Sequence, residues 1–123
     1  MDYYRVWGCD YLMVNSRSKG EIKALTSDLK KVLKELYGDR LVEIILYGSF
    51  ARGEANADSD IDIAIVLKGS VDKFQELDRL HEETYHLALK YGELISFYPI
   101  SQEDLKDTEW PLHYYIQKEG VKV

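Results

Sequence analysis

Residues 41–67 read LVEIILYGSFARGEANADSDIDIAIVL. Two apolar, branched runs, 41–47 and 60–67, enclose a dozen small and polar residues. Each run is too short for a typical helix and rich in Ile and Val, so both read as strands. The second opens with acid and isoleucine alternating and ends as continuous apolar residues. That pattern predicts a strand buried in a sheet, with one face of its first residues left open. Side chains two apart in a strand share a face. Asp60 and Asp62 therefore project together, about 7 Å apart along the backbone. Carboxylates that close repel and gain nothing from apolar surroundings, whereas a divalent cation between them removes the conflict.

The flanking sequence supplies what such strands pack against. In EIKALTSDLKKVLKELYGD (21–39), Ile22, Leu25, Leu29, Val32, Leu33 and Leu36 fall on one helical stripe, and Gly38-Asp39 stops it. Residues 71–90 form a second amphipathic pattern. There Phe74, Leu77, Leu80, Thr84, Leu87 and Ala88 face inward, while Glu76, Asp78, Arg79, Glu82 and Glu83 face outward. LISFYPI (94–100) reads as a third strand, and Pro99 places it at an edge or a bulge. Ser101 resembles an N-cap with acids in the following turn. Residues 104–119 then carry one or two short helices interrupted at Pro111 and ended by Gly120. Residues 1–19 fit either a short edge strand at Tyr11-Leu12-Met13-Val14 or a loosely packed arm. The expected architecture is α+β, a small mixed sheet covered by helices on one face, in a single domain spanning 1–123.

Composition narrows the function. A chain of 123 residues buries roughly two-thirds of its unfolded surface. The formal charge is -6, from 16 Lys+Arg against 22 Asp+Glu, which argues against direct nucleic-acid binding as the main work. It leaves a nucleotide substrate open, because a bound metal reverses the local field of an acidic site. No apolar run is long enough for a membrane span, no secretory signal pattern is present, and the lone Cys9 cannot form an internal disulfide. A reduced, cytoplasmic setting is expected.

Between the two strands lie the parts that phosphate chemistry needs. Gly48 lets backbone approach a phosphate, Ser49 offers a hydroxyl and an amide, and Arg52 is a planar cationic donor. Gly53 permits the turn that brings Arg52 back. Asp60 and Asp62 are the candidate Mg²⁺ ligands. Each piece alone is commonplace: Gly-Ser after a strand is usually a turn, and paired acids often mark a solvated strand end. Their order within fifteen residues is what carries meaning.

In that order, Gly48-Ser49 followed by Asp60-Ile61-Asp62 resembles the signature of the DNA-polymerase-β-like nucleotidyltransferase superfamily. GSFARGEANADSDIDIAIVL looks especially like the minimal nucleotidyltransferases, small bacterial and archaeal proteins often encoded beside a HEPN-domain partner. The resemblance extends over most of the chain and is specific in residues 46–67. It implies a polymerase-β palm-like fold, ATP and Mg²⁺ as co-substrates, and transfer of AMP to a hydroxyl. In some such pairs the acceptor is a tyrosine of a HEPN toxin, and the transferase acts as its antitoxin.

The family pattern implies a third carboxylate on the neighbouring strand. Here the acid is Glu93 at the strand's start, and the central position is Ser96. Glu93 is the candidate third catalytic acid, or else a surface residue at the helix exit. With no acid at the central position of that strand, an alternative is a catalytically weak transferase fold that neutralises its partner by binding alone. Modification of an antibiotic is a third reading, one that needs domain mass this chain lacks unless it forms a homo-oligomer. His81 and His86, five apart, do not share a metal-binding helical face, and Cys9 has no recognisable base beside it. Asp58 is placed to assist by charge or to cap the loop. Trp110, Tyr114 and Tyr115 read as core filling or as a docking surface for a partner helix.

Overall fold

The computed structural model describes residues 19–53 and 60–123. The expectations for Tyr11–Met13 and Val14, for Cys9 and for Asp58 lie outside these residues. Helix α1 (Lys19–Tyr37) buries Leu25, Leu29 and Leu33 completely, with Ile22, Val32 and Leu36 packed beside them. A 3-10 turn, Gly38–Arg40, follows it and delivers the chain to β1 (Leu41–Tyr47). After a single helical turn, α2 (Ser49–Arg52), comes β2 (Ile61–Leu67). The chain continues through α3 (Lys73–Tyr91), β3 (Ile95–Ser101), α4 (Gln102–Leu105), α5 (Pro111–Glu119) and a two-residue β4 (Val121–Lys122).

The strand order is β3-β2-β1-β4. β1 and β2 are antiparallel, as their short connection allows, while β2 and β3 are parallel because α3 carries the chain back between them. The sheet is thus mixed, as expected. β3 lies at the edge, where Pro99 is tolerated opposite Ile65. β4, two residues long, departs from the expected three strands. It exists through its pairing with Ile45 and Leu46 of β1 rather than through any pattern of its own.

The helices cover both faces of the sheet, which corrects the expectation of one. Ile61, Ile63, Ile65 and Leu67 pack with α1 and α3, whereas Ala64 and Val66 pack with Leu105 of α4 and Ile116 of α5. The unbroken apolar run of β2 is the cause, since a strand apolar on both faces needs cover on both.

Two further corrections concern α3. Leu80, Thr84 and Leu87 are buried as the periodicity predicts, but Phe74 is 84 % exposed at the first turn. Glu76, expected outside, is buried. Its carboxylate accepts hydrogen bonds from the Tyr37 hydroxyl at 2.8 Å and from Arg40 at 3.1 Å. Arg40 also donates to the carbonyls of Lys68 and Ser70, so one guanidinium ties the end of β2 to the start of α3. Burial, and next the bond to Glu76, push the Tyr37 hydroxyl well above its ordinary pKa. Asp72 caps α3 by accepting from the Gln75 amide, and Gly92 ends it in the left-handed conformation.

Candidate active site

The geometry is set where β1 ends. Gly48 adopts φ +75°, reversing the chain into α2, and the Arg52 amide closes that turn on the Gly48 carbonyl at 3.1 Å. Across the sheet, Asp62 pairs in register with Tyr47 on one side and Ser96 on the other. A Cβ added at Gly48 would lie 3.2 Å from Asp62 Cγ and inside the reach of its Oδ2. Gly48 is therefore required twice, by its left-handed backbone and by the carboxylate pressed against it.

Asp60 is exposed and just precedes β2, which begins at Ile61 rather than at Asp60. Asp62 is half-buried on the sheet face shared with Ala64 and the α4–α5 layer. Burial, and then the neighbouring Asp60 charge, raise the Asp62 carboxyl above its ordinary pKa, while Arg52 pulls it down. Tyr47, beside it, is pushed up to about 12 by burial first and by the Asp62 charge second. The phenol is thus neutral at physiological pH. Arg52 is exposed and reaches toward Glu119 at 3.7 Å, and its charge also acts on Asp62.

Gly48, Asp60, Asp62 and Arg52 are thereby brought to one end of the sheet, with Ser49 opening the turn between them. Glu93 is placed differently. It is buried at the exit of α3, its amide bonded to the Ala88 carbonyl, two residues before Ile95, which packs with the α1–α3 core. Ser96, exposed, is the β3 residue in register with Asp62. Among the described residues no group of three His, Cys, Asp or Glu side chains could hold a metal. The paired carboxylates nonetheless suit a hard divalent cation completed by phosphate and water oxygens. Burial is the larger cause of the raised Asp62 pKa and the Asp60 charge the second, and such an ion would offset both.

Two neighbours escaped sequence reasoning. Tyr47 had a signal, as the last residue of the strand leading into the turn. Glu119 had none, since only the return of α5 brings it to Arg52. On the Asp62 face, farther along β3, the Tyr98 hydroxyl meets His113 Nε2 at 3.0 Å and accepts from Lys73 at 3.1 Å. His113 Nδ1 lies 3.0 Å from the Asp107 carbonyl, which can only accept, so that nitrogen carries the proton. Trp110, Tyr114 and Tyr115 are exposed rather than core filling.

Residues 26–122 match the family model of the nucleotidyltransferase domain. The chain belongs to the nucleotidyltransferase family. It is 39 % identical over 101 residues to a candidate protein adenylyltransferase of Methanocaldococcus jannaschii, covering 81 % of this chain and 94 % of that relative. Among solved structures, a candidate minimal nucleotidyltransferase aligns with a TM-score of 0.56 at 21 % identity, over 87 % of this chain and all of that one. A toxin–antitoxin structure with AMP-PNP aligns with a TM-score of 0.53 at 21 % identity, over 86 % and 72 %. The fold is thus that of the polymerase-β-like nucleotidyltransferases, and the chain is an enzyme of the nucleotidyl-transferring class.

Proposed function

We propose that this nucleotidyltransferase moves AMP from Mg²⁺-bound ATP to a hydroxyl acceptor, a tyrosine of a HEPN-type partner toxin, with residues 1–123 acting as one minimal domain. The observation that carries the reading is the packing of the Gly48 turn against Asp62, beside Asp60 and within the field of Arg52. The protein-adenylyltransferase name of the M. jannaschii relative and the toxin–antitoxin match support the acceptor class. In the reaction the acceptor oxygen bonds the α-phosphorus, the bond to the β-phosphate oxygen breaks, and pyrophosphate leaves. Asp60 and Asp62 would hold Mg²⁺, which when bound neutralises charge on the phosphates. Ser49 and Arg52 orient the polyphosphate through hydroxyl and guanidinium donors, and Gly48 lets it approach the backbone. The acceptor proton would leave to water or to Glu93, whose carboxyl is buried at the exit of α3.

The second reading, neutralisation of the partner by binding alone, is favoured by Ser96 at the register position beside Asp62. One experiment separates the two. The protein is incubated with α-labelled ATP, Mg²⁺ and the protein encoded by the adjacent gene. Label on the partner, lost in Asp60→Asn with Asp62→Asn, supports transfer. Partner inhibition that survives this double substitution without labelling supports binding alone.

A further inference from the structure

Helix α1 segregates its charges. Lys23, Lys30 and Lys34 follow one helical face at i, i+7 and i+11, and all three are exposed. Asp28 turns the other way, accepting from the Tyr91 hydroxyl at 2.6 Å and from Lys90 at 3.2 Å on α3. Between the lysine face and β4 runs an open groove of two cavities, about 1080 and 530 Å³, which share Lys30, Lys122 and Val123. Its floor is apolar, with Ile22, Leu46 and Val121 at one end and Leu41 and Ile44 at the other. The acid among its described lining residues, Glu43, is engaged by Lys122 at 3.3 Å. Four lysines over an apolar floor are out of keeping with a chain of charge -6.

We infer that this groove docks an acidic amphipathic helix of a partner protein. Lys23 to Lys34 spans about 16 Å of helix axis, roughly three turns of a helix laid alongside. Acids on such a helix meet the lysine row while its apolar stripe covers the floor. A nucleic-acid backbone brings the charge but nothing to bury the apolar surface. Residues 1–18 carry Asp2 and Asp10 against Arg5 and Arg17, so they offer the lysines no net complement. The groove begins at Gly53, in the turn after Arg52, and follows the α1 face of the sheet at Leu46, opposite the face that carries Asp62. The inference deepens the proposed reading by giving the protein acceptor a surface, yet its test needs neither ATP nor metal.

The probe is a labelled synthetic helix of roughly 16 residues with leucines at i, i+4, i+7 and i+11 and glutamates flanking them. The control peptide carries lysine for every glutamate. With the full chain, anisotropy should show binding of the glutamate peptide alone, and NMR should show shifts at the amides of Ile22, Thr26, Val121 and Val123. Affinity should fall at least about tenfold in Lys23→Glu/Lys30→Glu/Lys34→Glu, and fall in the neutral variant Lys30→Gln/Lys34→Gln should that triple variant not fold. Asp60→Asn/Asp62→Asn should bind the peptide normally, which separates failure of docking from failure of transfer. Equal binding of both peptides, no shift at those amides, or affinity unchanged by the lysine substitutions would overturn the inference. Binding that appears only after deletion of residues 1–18 would overturn it as well, assigning the groove to the chain's own segment.

Discussion

Asp62 bears the conflict at the centre of the site. Its carboxyl pKa is raised by burial and by Asp60, so the folded chain holds the proton more tightly than the unfolded chain does. A carboxyl shifted upward contributes stability that is full below its unfolded value, 3.8, and lost as pH rises through the folded value. Ionised Asp62 therefore costs stability at neutral pH. Asp62→Asn should abolish nucleotidyl transfer and yet raise the melting temperature at pH 7 by about 2 °C, a small figure because the group is partly solvated. The gain should vanish when the melt is repeated below the unfolded pKa, where the wild-type carboxyl is protonated too. Gly48→Ala tests the other half of the contact. Left-handed backbone and overlap with Asp62 together should cost about 1–3 kcal/mol in urea denaturation. In the Asp62→Ala background only the backbone part should remain, so the two effects should not add.

At the scale of elements, Glu76 is the joint between α1, β2 and α3. Its bonds to Tyr37 and Arg40 are buried and, with Arg40, charge-assisted. Glu76→Gln should cost about 1–3 kcal/mol by urea denaturation, and Glu76→Ala more, since Arg40 and Tyr37 lose their acceptor. A surface glutamate would show neither loss. Helical periodicity reads Glu76 as outward because it sees one element at a time: Arg79, at 3.4 Å, shares the helix, but Tyr37 ends α1 and Arg40 precedes β1. What the sequence does carry is local. The branched runs gave β1, β2 and β3, and Gly48, Ser49 and the two aspartates marked the site's end of the sheet. The second helical layer was written in the unbroken apolar run Ala64 to Leu67. β4 was not legible, since two residues have no period. Its position depends on Gly120, where a Cβ would run into the Ile116 carbonyl and the Ile45 side chain, a need for space rather than for unusual backbone angles.

On the scale of the whole molecule, the two neighbouring aspartates are a cost to the metal-free fold that a bound cation would lower. The net charge of -6 and the Asp60–Asp62 repulsion both oppose the compact metal-free state. A ligand that binds the folded chain alone stabilises it by mass action, about 2.7 kcal/mol at a hundred times its Kd. For a domain of this size that corresponds to a rise of about 10 °C in melting temperature. Mg²⁺ with ATP should produce such a rise, and ATP with chelator should produce little of it, because the polyphosphate then adds anionic charge beside the two acids. In Asp60→Asn/Asp62→Asn the difference should disappear. With the acids gone, ATP alone is no longer repelled, while the ligands for Mg²⁺ are missing, so metal should add nothing to the shift. A melting series over the four combinations of protein and metal reads this directly. An equal Mg²⁺-dependent rise in the double variant would place the cation's binding energy somewhere other than these carboxylates.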